Sequence, residues 1–172
     1  MLHEFAVDPE VLRTEDALLR YVDCFGANTG RLIARFPNDW TRRIYELHPA
    51  GRRSGPRIEI LLGKLKHRMW RGEGRSYDGQ GTWLEKAEAQ HEVKAFQAIL
   101  AKANPRDNPD ILLADSLCEE DDLWSVSTDC LVERTPDAIS KALAPIMKNA
   151  RSYVMIVEPY FAPDECGRMS LS

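Results

Sequence analysis

The chain has 172 residues, 44% of them hydrophobic, with 27 acidic and 23 basic side chains for a net charge of −4. That is enough to bury a core in one domain or one and a half. No apolar run approaches the length of a membrane span, and Met1 to Phe5 has neither a basic start nor a long apolar stretch. This argues against a signal peptide or transmembrane helix and for a cytoplasmic protein.

Phe5, Ala6 and Val7 read as a short strand, closed by Asp8 and Pro9, an N-cap and first-turn pair. Thr14 caps a helix whose apolar residues are Leu18, Leu19, Val22 and Phe25, and Gly26 ends it. Residues 31–36 read as a strand, and the stretch after Pro37 and Asn38 as a helix with Trp40, Ile44 and Leu47 on one face.

Pro56 opens a further helix, expected over 56–71, in which Ile58, Leu61, Leu62, Leu65 and Met69 follow helical spacing. Its other side is basic. Residues 52–75 hold eight cations against two carboxylates inside an acidic chain. Arg57, Lys64, Lys66, Arg68, Arg71 and Arg75, with Trp70 and Tyr77 for stacking, form a phosphate footprint of the kind nucleic-acid binders use. The competing interpretation is a solvated helix face.

Residues 72–81 form a glycine-rich loop that lacks a phosphate-binding fingerprint. Thr82 and Glu85 match a capping box that starts a helix expected to run to Ala103, with Ala89, Val93, Phe96 and Leu100 buried and His91 and Lys94 on the solvated side. The loop 104–110 is the expected domain boundary, separating a mainly helical region, 1–103, from 104–172. Residues 111–114 read as a strand, the four carboxylates 119–122 as a solvated loop, and residues 130–132 as another strand. Cysteines 24, 118, 130 and 166 never approach a C-x-x-C pair. They read as reduced thiols, and no zinc site or other cofactor is implied.

Thr135 and Pro136 start an amphipathic helix with Ile139, Leu143, Ile146 and Met147 on its stripe, and Pro145 is expected to kink or restart it. Residues 153–157, an apolar run without alternation, read as a strand covered on both faces and ended by Pro159. Open α/β sheets bind ligands at the carboxyl ends of such strands, which marks Glu158, Tyr160 and Phe161 as ligand-pocket residues; the alternative is a turn that buries two rings.

The segment 150–165, ending Glu-Pro-Tyr-Phe-Ala-Pro-Asp-Glu after an amphipathic helix, resembles the helix and strand that open a catalytic half in the phospholipase D superfamily, cardiolipin-synthase-like members above all. The resemblance implies an α/β fold with a short mixed sheet, incomplete at the C-terminus. In that family a histidine nucleophile and a lysine, spaced HxK, act on phosphodiesters. None of His3, His48, His67 and His91 has lysine two positions on, so no catalytic residue carries over. The expectation is a truncated, non-catalytic scaffold portion of such a phosphodiesterase or nuclease. The alternatives are a nucleic-acid-binding module built on 52–75, or an interaction domain anchored by Trp40, Trp70, Trp83 and Trp124. In the last case an unpaired strand at 153–157 would favour a homodimer.

Overall fold

The computed structural model describes residues 1–48, 56–71, 75–77, 79–117, 121–127, 129–150 and 154. It contains two compact units, Met1–Cys130 and Leu131–Ser172. Apart from Val154, the strand expected at 153–157 and the pocket residues Glu158, Tyr160 and Phe161 lie outside the described residues.

The first unit is α/β. In chain order its elements are β1 (His3–Val7), α1 (Glu15–Cys24), β2 (Arg31–Ile33), α2 (Trp40–Leu47), α3 (Pro56–Leu65), α4 (Trp83–Val93), β3 (Ile99–Ala101) and β4 (Ile111–Leu113), with short 3-10 turns between them. The strands form one sheet in the order β2-β1-β3-β4. All three pairings are parallel, with Glu4 opposite Leu32, Ala6 opposite Ile99 and Leu100 opposite Leu112. The expected mixed sheet is therefore parallel throughout.

Strand side chains alternate between faces, and the core divides accordingly. Phe5, Val7, Ile33, Leu100 and Leu112 join Leu18 and Val22 of α1, Trp40 and Ile44 of α2, and Ile58, Leu61, Leu62 and Leu65 of α3. Ala6, Ala34, Ile99, Ala101 and Ile111 join Ala87 of α4 with Phe36 and Phe96. Helices thus cover both faces, as a parallel sheet requires. The outer side of β2 is partly covered too, since Met69 bridges to Ile33 and the Trp70 amide donates to the Ile33 carbonyl at 2.7 Å.

Local signals fix the helix starts. Asp8, Thr14 and Thr82 each accept an amide of the following turn, and Thr82 and Glu85 form a full capping box. The Thr82 backbone amide holds the Glu85 carboxyl below its usual range.

The expected helix from Thr82 to Ala103 is corrected by the structure. It stops at Val93, which is 80% exposed, while Leu100 belongs to β3. His91 was expected on the solvated side, yet its Nδ1 accepts the Phe96 amide at 3.2 Å and its Nε2 lies 3.4 Å from Asp110. These contacts turn the chain out of the helix.

The expected boundary at 104–110 is also displaced. β3 and β4 pair across that loop, and the division between units falls at Cys130. This is a short crossover for parallel strands. Asn104 Oδ1 accepts the Asn108 amide at 2.9 Å, and Glu88 of α4 accepts from Asn108 Nδ2 at 2.9 Å and pairs with Arg106.

Arg75 is the deepest correction to the basic island. Its side chain is 4% exposed and pairs with Glu4 of β1 at 2.7 Å. It donates to the carbonyls of Gln90, Lys94 and Ala95 at the end of α4, and its guanidinium lies 3.6 Å from the centre of the Phe96 ring. A cation at a helix C-terminus is favourable, and here it also joins α4 to the sheet.

In the second unit, α5 (Pro136–Asn149) is capped by Thr135 and runs as one helix with Pro145 inside it, rather than restarting there. The expected strand at 130–132 is absent. Those residues have no regular structure, and Leu131 and Cys130 are exposed.

Replacing Arg75 leaves Glu4 buried without its partner. We expect Arg75→Ala to lose about 3–5 kcal/mol in urea denaturation, whereas Lys64→Ala, at an exposed site, changes stability by less than about 0.5 kcal/mol. Equal losses for the two would contradict the role given to Arg75.

Candidate functional site

The chain leaves β1 toward β2 on one side and later returns to place β3 on the other. The strand order therefore reverses between β1 and β3. In open parallel sheets the crevice beyond the carboxyl ends of two such strands is the ligand position, because the connecting segments part there.

A hollow of about 290 Å³ opens at the carboxyl end of β1, lined by Asp8, Pro9 and Glu10, by Arg43, Glu46 and Leu47 of α2, and by Trp83 at the start of α4. Each wall is fixed by the fold. Asp8 is set by its cap bond to the Glu10 amide at 3.0 Å. The Trp40 indole donates to the Val7 carbonyl at 2.6 Å, which ties α2 to the last residue of β1. Trp83 donates to the Phe36 carbonyl at 3.4 Å.

The charges around the hollow are already engaged. Glu10 pairs with Arg13 at 2.5 Å and with Lys102, just beyond β3, at 3.7 Å. Arg43 pairs with Asp39 at 3.1 Å, and Glu46 with Arg42 at 3.9 Å. Hydrogen bonds from Arg42 and Arg43 hold the Asp39 carboxyl below its usual range. Burial raises the pKa of Asp8, against the cap bond that opposes it. Burial also pushes the Tyr21 phenol up, and the Tyr21 hydroxyl has no hydrogen-bond partner among the described residues.

The basic island does not assemble as the sequence reading expected. Arg57 pairs with Glu15 at 3.0 Å, and Lys66 stands 5.0 Å from the centre of the Tyr45 ring. Arg68 is half-buried against Gly26, where a Cβ would lie 2.7 Å from its guanidinium. Gly26 has φ +149°, a backbone conformation that favours glycine. Lys64 and Arg71 stay exposed, and Arg75 is withdrawn into the fold. Of the tryptophans, Trp40 and Trp124 are core, while Trp70 and Trp83 are half-buried.

Asp8, Glu10, Arg43, Glu46 and Trp83 were missed as a site by sequence reasoning. The signal was present in Asp8, the first polar residue after the run of residues 5–7, in the position that marked Glu158 after residues 153–157. Among the described residues no group of three or more His, Cys, Asp or Glu could hold a metal ion, and no helix is long and apolar enough to cross a membrane.

A carboxyl whose pKa is raised by folding contributes stability below its unfolded value, and that contribution is lost as pH rises through the folded value. Asp8→Asn keeps a capping side chain and removes the charge. It should therefore lose less stability than the parent between about pH 4 and pH 7 in denaturant titrations. A steeper loss would show that burial is not the dominant influence on Asp8. Comparison with known proteins returns no match, whether to protein-family models, to curated proteins or to solved structures.

Proposed function

We propose that this chain is a non-catalytic, cytoplasmic binding module of a phospholipase-D-like protein, and that its α/β unit takes a small polar ligand in the crevice at the carboxyl end of β1. The observation that carries the reading is the reversal of strand order between β1 and β3, with Asp8, Glu10 and Trp83 lining a hollow beside it. The phospholipase-D-like part rests on the resemblance of residues 150–165. No described histidine is followed two positions later by lysine, so the chain supplies no HxK chemistry of its own.

The experiment is a titration of the 15N-labelled full chain with AMP, spermidine and maltotetraose, followed by NMR. At least one probe should shift the amides of Asp8 and Glu10 and the Trp83 indole. If all three leave those signals unmoved, the crevice reading is wrong.

One observation favours nucleic acid as a second ligand: Lys64, Lys66 and Arg71 remain exposed along one stretch, with the Tyr45 ring beside Lys66. Binding of a labelled single-stranded DNA should then fall by an order of magnitude or more between about 50 and 200 mM salt, and vanish in Lys64→Glu/Lys66→Glu. Binding insensitive to both changes would remove this reading and leave the crevice untouched.

A further inference from the structure

We infer that the occupant of the crevice is an uncharged, extended polyhydroxyl chain, an oligosaccharide, which also fills two adjoining hollows; this rests on the crevice being the binding site. Consecutive hollows share a wall residue. Arg43 lines the first and also a second of about 330 Å³, with Pro37, Asn38, Asp39, Tyr77 and Gly79. Tyr77 in turn lines a third of about 350 Å³, with Ser76, Lys86, Ala89 and Gln90. A single small molecule fills one of these; a chain of similar units fills the row.

The chemistry of the lining selects the units. A charged ligand gains little, because Glu10, Arg43 and Glu46 each have an ionic partner, so that in this solvent-exposed setting the walls present little net charge to it. The carboxylates that line the hollows can only accept hydrogen bonds and the guanidinium can only donate, while Asn38 and Gln90 do both. A hydroxyl both donates and accepts, so it can add to every one of these groups without breaking an ion pair. Each hollow also has a ring on its wall, Trp83 in the first and Tyr77 in the other two. Such rings offer apolar faces with a polar end, which matches the alternation of C–H and O–H on a sugar. The ring of Tyr77 is held in place by Phe36, edge-on at 5.5 Å, and by Arg43, whose guanidinium lies 4.9 Å from its centre.

The test is NMR titration of the full chain with maltotetraose, cellotetraose and chitotetraose, with the monosaccharide of each, and with AMP and spermidine. One tetrasaccharide should shift the signals of both Trp83 and Tyr77 and bind about tenfold more tightly than its monomer, the scale of one added aromatic contact. Asn38→Ala, an exposed change in the second hollow, should weaken the tetrasaccharide and spare the monomer. Glu46→Ala, at a side chain 63% exposed, should weaken both. A monomer that binds as tightly as its tetramer overturns the extended occupant. AMP or spermidine shifting residues 8–10 while all saccharides are silent overturns the ligand class and leaves the crevice reading standing. Silence of every probe at residues 8–10 and Trp83 removes both.

Discussion

A guanidinium with almost no access to water must find acceptors on every side, and Arg75 finds them in two separate stretches of the chain. Glu4 belongs to β1, the carbonyls of Gln90, Lys94 and Ala95 to the end of α4 and the turn after it, and Phe96 to the approach to β3. The charge of Arg75 thus compensates the buried carboxylate of Glu4 and the free carbonyls of a helix end at once. The position of α4 on the second face of the sheet depends on this contact. So does Trp83 at the other end of the same helix, and with it one wall of the crevice.

The crevice follows from topology before chemistry. Residues 8–10 are carried by β1, residues 43–47 by a helix tied to Val7 through Trp40, and Trp83 by a helix on the opposite face. These segments meet beyond the carboxyl end of β1, one of the two strands between which the strand order reverses. The result is a polar hollow whose charges are largely neutralised by neighbours outside it, a setting that rewards hydrogen bonding over ion pairing.

How much of this was legible in the sequence varies with the range of the interactions. Helix starts were legible because caps act over three residues. Thr14, Thr82 and Thr135 all accept the amide that their spacing implies. The apolar stripe of α3 was equally local over Ile58, Leu61, Leu62 and Leu65, but the helix expected over 56–71 ends at Leu65, and Met69 is extended and bridges to Ile33 instead. The end of α4 was not, because Val93, Phe96 and Leu100 satisfy helical spacing although only the last two are buried, and His91 and Arg75 decide where the helix yields. Strands of three residues are too short to show a period. The basic island reads as one patch along the chain, but the fate of Arg75 depends on Glu4, 71 positions away.

The two sides of β3 differ greatly in how far the chain must loop to form them. Ile99 meets Ile111 across a few turns of chain, a closure with little entropic penalty, whereas Ala6 meets Ile99 only after more than ninety residues. On a ribosome, β1 emerges first and acquires β2 early, yet one of its edges has no β3 to pair with for about 5–20 seconds of elongation. Phe5, Ala6 and Val7, all without solvent exposure in the finished fold, are therefore apolar residues open to a nascent-chain chaperone until β3 is made.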